Sequence, residues 1–361
     1  MHMTSRHPLK IRIESMGVYL PDTILTMEEL LESCRNRPKW DLERITGIHE
    51  RRIAVREYAA DLAVRAAARA LRLSTYSAED LDAVICTSIS KHDRPDEFSL
   101  EPATAVRIRR ELGASKALSF DVVNACAGMI NGIYIMQGLI RSGAVRRGLV
   151  VSGEHNMPVA ETAAREMRHS FDGQIAALTL GDAGAALILD GSPDPIRGFH
   201  YLDLVSAARH DHYCYSRPSK RGPGGILVTK ARGLQRKGNE HFPFYFKKAL
   251  DGAGWALEDL DHIIPHQVSV RGIENSARAL ERYLGTPLPP ITRIIADHYG
   301  NTSTTSHFVT MHDFILSGHI QSGDNLMLVS GASGIVISHA ACTLDDLPDR
   351  YRNHFGPGGT P

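Results

Sequence analysis

Three short segments carry side chains whose chemistry belongs together. Asp121-Val-Val-Asn124-Ala-Cys126-Ala-Gly128-Met129 is an apolar run that closes on small residues around a thiol. Ile263-Ile-Pro265-His266-Gln267 brings an imidazole, and Gly300-Asn301-Thr302-Ser303-Thr304-Thr305-Ser306 brings a carboxamide among hydroxyls. A thiol can hold an acyl group as a thioester, and the other two can stabilise negative charge on a second carbonyl. Cys126 falls where a predicted strand, Leu118 to Val123, gives way to an apolar helix starting near Ala127. The helix N-terminus there favours thiolate over thiol. Ala125, Ala127 and Gly128 let a substrate approach closely, and the N–H of Cys126 can donate to a thioester oxyanion. Each residue also has an ordinary explanation. Most cysteines are packed thiols, one histidine among 18 is usually structural, and Asn301 suits a turn or helix cap.

The elements that must position these groups occur twice. Glu79-Asp80-Leu81-Asp82 returns as Glu258-Asp259-Leu260-Asp261, 179 residues later. Leu149-Val150-Val151-Ser152-Gly153 returns as Met327-Leu328-Val329-Ser330-Gly331 at an offset of 178, and Arg141-Ser142-Gly143 as Gln321-Ser322-Gly323 at 180. Three matches at nearly one offset indicate a duplication. Within the first half the pattern predicts a helix over Tyr58 to Leu73 and a strand over Ala83 to Ser88. A helix over Pro102 to Leu112, a strand over Ala117 to Val123, a helix over Gly128 to Ser142 and a strand over Gly148 to Ser152 follow. The second half predicts helices over Phe242 to Gly254, Val270 to Leu284 and Thr304 to Ser317, with strands over His262 to Pro265 and Asn325 to Ser330. Such alternation implies an α/β class of largely parallel sheets covered by helices, with the site between the halves. His266, after Pro265, stands at a C-terminal strand end, where ligands of α/β proteins gather.

The echo divides the chain into an N-terminal half, 1–190, carrying Cys126, and a C-terminal half, 191–345, carrying His266 and Asn301. A polar tail, 346–361, is expected to fray. From Ser206 to Gly238 the chain is rich in Gly, Pro and cations. Arg217, Lys220, Arg221, Lys230, Arg232, Arg236 and Lys237 follow one another with no acid between, which reads as a surface excursion.

Composition narrows the function classes. Lys plus Arg and Asp plus Glu are both 41, so no global charge points to nucleic acid as the main partner. A 43% hydrophobic content supports a large core, while no apolar run is long enough to span a bilayer. The N-terminus lacks the apolar stretch of a secretory signal, so a cytoplasmic enzyme is expected. Five scattered cysteines (Cys34, Cys86, Cys126, Cys214, Cys342) form neither a disulfide framework nor a zinc ribbon. His210-Asp211-His212 has no further ligand nearby in sequence, and no metal site is expected.

The chain resembles a β-ketoacyl-[acyl carrier protein] synthase III of the thiolase superfamily. The resemblance runs from about Leu9 to Ala341. It is carried by Gly17-Val-Tyr-Leu-Pro21, Thr46-Gly47-Ile48-His-Glu50-Arg51-Arg52, Asn124-Ala-Cys126-Ala-Gly128, Leu180-Gly181-Asp182-Ala-Gly184-Ala-Ala186, Pro265-His266-Gln267 and Gly300-Asn301-Thr302-Ser303. It implies a thiolase-like duplicated five-layer α/β/α/β/α fold and a homodimer. It also implies coenzyme A or acyl carrier protein thioesters as substrates, with no cofactor besides. Carried over by motif, Cys126 is the acyl-accepting nucleophile, and His266 and Asn301 donate to the carbonyl of a malonyl-type thioester as it loses carbon dioxide. The N–H groups of Cys126 and of a glycine near Gly334 form the oxyanion hole. Trp40, one residue further from Thr46-Gly47 than in the family pattern, resembles the tryptophan that stacks on adenine of coenzyme A. A structural tryptophan is the competing reading. Arg271, five residues after His266, matches an arginine linked with carrier-protein docking, and with Arg217 to Lys237 it offers a cationic rim; a solvated basic loop is the alternative. Cys342 lies beyond the last core strand, unlike the second cysteine of biosynthetic thiolases. Phe355-Gly-Pro-Gly358 resembles a plant-type polyketide synthase loop but sits past that strand too.

Three departures from the pattern point to a specialised member serving fatty acid, polyketide or other secondary metabolism. Val268-Ser269 replaces an Ala-Asn pair after Pro-His-Gln. Ser330-Gly331-Ala332-Ser333-Gly334-Ile335 has fewer glycines than the family segment. The loop from Lys91 to Glu101 is polar and long. Against decarboxylating Claisen condensation stand an acyltransferase passing the Cys126-bound group to an oxygen or nitrogen nucleophile with His266 as base, and condensation of two acyl thioesters without decarboxylation. A non-catalytic partner subunit would have no need of Cys126, His266 and Asn301 together.

Overall fold

The computed structural model describes residues 9–91, 99, 101–289 and 291–356. Most of the polar loop Lys91 to Glu101, whose length was singled out above, and Pro357 and Gly358 of the tail lie outside them. Among the described residues no helix is long and apolar enough to cross a membrane.

Each half supplies one sheet. In the first, the order is Ile11–Tyr19, Ala183–Gly191, Arg147–Glu154, Ala83–Cys86, Leu118–Asp121. Ala83–Cys86 runs parallel to both its neighbours, and the other pairings are antiparallel. In the second, the order is His262–Pro265, Asn325–Ala332, Val336–Thr343, Gly198–Ser206, with the first pair parallel. The two sheets match strand for strand except at one edge. Opposite Leu118–Asp121 of the first sheet, the second has only a bridge from Ile263 to Thr292, closed by Ile263 N to Ile291 O (2.9 Å) and Arg293 N to Ile263 O (2.9 Å).

The duplication repeats individual hydrogen bonds. Asp82 accepts from Arg146 N at 2.7 Å, and Asp261 accepts from Asn325 N at 2.8 Å. Thr87 N donates to Val151 O at 2.8 Å, and His266 N to Val329 O at 2.7 Å. His266 therefore occupies in the second half the place Thr87 holds in the first.

The helices complete five layers. Gly128–Arg141 and Ser306–Leu316 form the middle layer, where Ile133, Met136, Phe308 and Met311 share one core with Val150 and Leu187 of the first sheet and Leu328 of the second. Ala59–Leu73 and Thr104–Leu112 cover the outside of the first sheet. Ala231–Ala253 covers the second, and Val270–Leu284 packs against it. Ala59–Leu73 can lie close because Ala63, Ala66, Ala67 and Ala70 are small. The strands beneath it are glycine where it crosses. A Cβ on Gly184 would fall 2.2 Å from the carbonyl oxygen of Leu62.

Two expectations change. The basic excursion is ordered as a hairpin, Cys214–Pro218 with Gly225–Thr229, followed by a helix that begins at Ala231, eleven residues ahead of the predicted start at Phe242. Over residues 347–355 the expected fraying is not seen. Leu347–Phe355 is a helix with Leu347 and Tyr351 buried, and Tyr351 donates to Nδ1 of His312 or accepts from it at 2.8 Å. The polar residues there lie on the outer face of an amphipathic helix whose apolar side packs inward.

Candidate active site

Cys126 lies on a tight elbow between strand and helix. Ala125 takes φ 43°, a left-handed value costly for a residue with a side chain, and Gly128 N closes the turn on Ala125 O at 2.9 Å. The second half has an elbow of the same form at Ser303, with φ 58°, just ahead of the helix Ser306–Leu316. The two elbows touch. The Ser303 side chain approaches the Cys126 thiol, and a Cβ on Gly128 would come 3.0 Å from Cγ2 of Thr304. By the same offset, Thr304 is the counterpart of Cys126.

Asn301 opens the second elbow and is sewn to the first half. Its N–H donates to Thr179 O at 2.8 Å, and its carbonyl accepts from Gly181 N at 3.0 Å. Arg51, fully buried, braces that segment by donating to the carbonyls of Leu178 and Leu180. The Asn301 side-chain oxygen accepts from Ser303 N at 2.9 Å, which leaves its NH2 as the free donor end.

His266 is buried at the end of His262–Pro265. Its Nδ1 lies 2.8 Å from the Ser306 hydroxyl, and its Nε2 is buried with no partner among the described residues. Burial, with His307 nearby, pushes its pKa down to about 3, so the ring is neutral. Gln267 fixes this strand end: its Nε2 donates to the carbonyls of Pro265 (2.8 Å) and Arg293 (3.1 Å), and its Oε1 accepts from Ile295 N (2.9 Å). The segment Asn301 to Ser306 thus reaches both chemistry-bearing groups, Cys126 through Ser303 and His266 through Ser306.

The helix end is not the strongest influence on Cys126. Burial pushes the Cys126 thiol up to about 12, helped by Cys214 and Glu154, and the Ser303 contact only partly offsets it. The helix N-terminus is too weak an influence to win against desolvation. The resting site holds a neutral thiol and a neutral imidazole.

The remaining residues fall around this centre. Gly334, φ 80°, sits in the turn between Asn325–Ala332 and Val336–Thr343. Ala332 and Val336 flank that turn and pack on Ala127 and Cys126. Trp40 meets Phe171 edge-on, ring centres 4.5 Å apart, and Phe171 is 74% exposed. Arg271 is on the surface in the first turn of Val270–Leu284, paired with Glu274 at 3.2 Å. That helix starts against the turn that ends the short helix Leu42–Thr46, since a Cβ on Gly47 would fall 2.6 Å from Cβ of Val270. Among the described residues no group of three or more His, Cys, Asp or Glu side chains could hold a metal.

Sequence reasoning missed Phe171, Ser303, Ser306 and Glu154. Glu154, fully buried, accepts from Ile89 N (2.9 Å), Ser90 N (3.2 Å) and Ser152 Oγ (2.9 Å), and meets Thr304 Oγ1 at 2.9 Å. A signal existed: Glu154 follows the repeated Ser-Gly pair at a position where the second half has Ala332.

Comparison with known proteins converges on one family. Residues 120–206 match 3-oxoacyl-[acyl-carrier-protein (ACP)] synthase III, and residues 250–344 match its C-terminal region. The chain is 32% identical over 346 residues to a beta-ketoacyl-[acyl-carrier-protein] synthase III of Deinococcus deserti, covering 93% of this chain and 91% of the relative. A synthase III of Laribacter hongkongensis is 31% identical over 333 residues, covering 90% and 95%. Among solved structures, 3-oxoacyl-[acyl-carrier-protein] synthase III of Aquifex aeolicus superposes with a TM-score of 0.78 at 26% identity, covering 93% of this chain and 99% of that one. OleA of Xanthomonas campestris superposes with a TM-score of 0.80 at 27% identity, covering 94% and 100%.

Proposed function

The chain belongs to the 3-oxoacyl-[acyl-carrier-protein] synthase III family of condensing enzymes, with the thiolase-like fold, and from that premise we propose a decarboxylating Claisen condensation on Cys126. An acyl thioester of coenzyme A or a carrier protein transfers its acyl group to Cys126, and the thiol proton leaves with the departing thiol. A malonyl-type thioester then loses carbon dioxide. The electron pair of the broken C–C bond forms an enolate whose oxygen is held by Nε2 of His266 and the NH2 of Asn301. The enolate carbon attacks the acyl-Cys126 carbonyl, the C–S bond breaks, and the Cys126 sulfur takes a proton from solvent.

The observation that carries this choice is the state of His266. Its pKa of about 3 makes it a poor base and, through an unpartnered Nε2, a good neutral donor. Decarboxylation creates the carbanion without a base. Transfer to an oxygen or nitrogen nucleophile, or condensation of two acyl thioesters without loss of carbon dioxide, needs a group to remove a proton.

The proposal extends to partners. Half-buried Trp40 with exposed Phe171 forms an aromatic pair suited to an adenine, and Arg271 with the cationic hairpin and helix start suits an acidic carrier protein. A homodimer would form along Leu118–Asp121, the open edge of the first sheet, where Leu118 and Val123 are exposed just ahead of Cys126. Val268, Ser269 and the glycine-poor turn at Ser333-Gly334 support a specialised biosynthetic role over general fatty acid initiation.

Intact mass measurement after incubation with a panel of acyl-CoAs tests the first step, with Cys126→Ala as control. Malonyl carrier protein is then added and carbon dioxide release followed. Absence of acylation from every donor refutes the enzymatic reading. Acylation with condensation but no carbon dioxide favours the non-decarboxylating route, and acyl transfer without a new C–C bond favours the acyltransferase.

A further inference from the structure

A neutral imidazole can serve as the enolate donor only if its proton is on Nε2, and nothing in the ring itself secures that. We infer that Ser306 is the positioning residue that selects this tautomer, by donating its hydroxyl proton to Nδ1 of His266. The inference rests on the condensation reading for its consequence, while the tautomer is a property of the resting protein.

The geometry around Ser306 supplies the direction. Its Oγ lies 2.8 Å from His266 Nδ1 and also accepts, at 3.4 Å, from the main-chain N–H of Gln267, a group that can only donate. Ser306 is fully buried, and no other hydrogen bond of its hydroxyl occurs among the described residues. If His266 carried its proton on Nδ1 and donated it to Ser306, the hydroxyl hydrogen would be left buried without an acceptor. Buried donors are rarely left so. The economical arrangement runs one way: Gln267 N–H to Ser306 Oγ, Ser306 O–H to His266 Nδ1, and Nε2–H outward toward the substrate oxygen.

His307, whose ring centre is 6.2 Å from that of His266, does not compete for the task. Its Nε2 lies 2.9 Å from the carbonyl of Val329, which fixes that proton, and its pKa is pushed down to about 4 by burial. Ser306 itself opens the helix that follows Asn301. One short segment thus sets the donor end of Asn301, through Ser303 N, and the donor end of His266, through Ser306 Oγ.

The test uses the full chain with nitrogen-15 in its histidines, His266 being assigned by the signals lost in His266→Gln. We expect a pyrrole-type resonance at Nε2 and a pyridine-type resonance at Nδ1 in the resting protein. Ser306→Ala should move both toward the average of two tautomers and lower turnover with malonyl carrier protein about tenfold, the value of one neutral hydrogen bond. Acylation of Cys126 should be unchanged in that variant. Ser306→Thr, which keeps the hydroxyl, should recover the wild-type resonances and most of the turnover. A wild-type protein with its proton on Nδ1 overturns the inference without recourse to any variant, and so does a folded Ser306→Ala whose resonances do not move. The expected tautomer in a protein that no acyl donor modifies upholds the role of Ser306 and refutes the condensation reading alone.

Discussion

Thr304 Oγ1 lies 2.9 Å from Oε1 of Glu154, and this contact joins the two halves beneath the nucleophile. Thr304 is the second-half counterpart of Cys126, so the elbow that carries no nucleophile is clamped by a buried carboxylate from the first half. Ile89 N, Ser152 Oγ and Thr304 Oγ1 gather on Oε1, with Thr304 Oγ1 also 2.7 Å from Ser152 Oγ, while Oε2 accepts from Ser90 N at 3.2 Å.

Glu154→Gln should therefore be costly despite its near-identical shape. If the amide oxygen takes the Oε1 site, its NH2 faces the Ser90 N–H, donor against donor. We expect a loss of about 1–3 kcal/mol in urea unfolding at pH 8, the penalty for a buried polar group left unsatisfied. Combined with Thr304→Val the losses should be less than additive, because both changes remove the same contact. Additive losses would show that the clamp carries no coupling.

The division of labour between Cys126 and the donors predicts separable defects. His266→Ala and Asn301→Ala should still be acylated by acyl-CoA to full stoichiometry in intact mass spectra. Their condensation rates should fall by about a hundredfold to a thousandfold, as when one preorganised oxyanion donor is removed. A variant that loses acylation as well would place that residue in the first half-reaction.

The three chemical residues were legible because each is marked by its immediate neighbours: small residues around Cys126, Pro265 before His266, Gly300 before Asn301. The duplication was legible because the repeated Glu-Asp-Leu-Asp segment fixes the same turn and the same strand-joining hydrogen bonds at Asp82 and Asp261. What local pattern could not show was contact across the halves. Ser303 and Ser306 read as helix-capping hydroxyls until the fold set them against Cys126 and His266. The desolvation that opposes a thiolate was hidden for a related reason, since Cys126 is partly buried against Ala332 and Val336 from the other half. The helix Ala231–Ala253 began earlier than predicted because Gly233, Gly238 and Pro243 depress helix propensity while packing against Tyr213, Tyr201 and the second sheet stabilises it.

Buried neutral histidines predict acid sensitivity. His266, His307 and His312 are pushed from 6.5 down to about 3, about 4 and about 3, chiefly by burial. Between those values and 6.5 the unfolded chain binds protons that the fold cannot, so stability falls as the pH drops. Glu154 acts oppositely. Burial raises it from 4.5 to about 7, so its contribution is present below 4.5 and lost as the pH rises through about 7. Among these four groups the balance is a net uptake of about two protons on unfolding near pH 5.5, a slope of about 3 kcal/mol per pH unit, and His200, lowered to about 4, adds in the same direction. Urea midpoints measured from pH 7 to pH 5 should decline accordingly, and more steeply in Glu154→Gln. A flat profile would mean that these histidines are protonated in the fold.

Two glycines predict opposite outcomes for one substitution. A Cβ on Gly153 would lie 1.9 Å from the carbonyl oxygen of Ala59 and 2.6 Å from Ala63 N. Both atoms are main chain of the helix Ala59–Leu73, so no rotamer change relieves the clash. The helix would have to lift from the sheet, opening the layer where Ala63, Ala66, Ala67 and Ala70 are buried and shifting the strand that ends in Glu154. Gly153→Ala should cost upwards of about 3 kcal/mol, in the range of severe overpacking. Gly138, by contrast, is exposed in the interior of Gly128–Arg141 with nothing within 4 Å of an added Cβ. Gly138→Ala should stabilise the protein by up to about 1 kcal/mol through helix propensity alone. Thermal unfolding of the two variants side by side checks the close approach directly: a Gly153→Ala protein as stable as wild type would mean that the helix does not sit on the sheet at this distance.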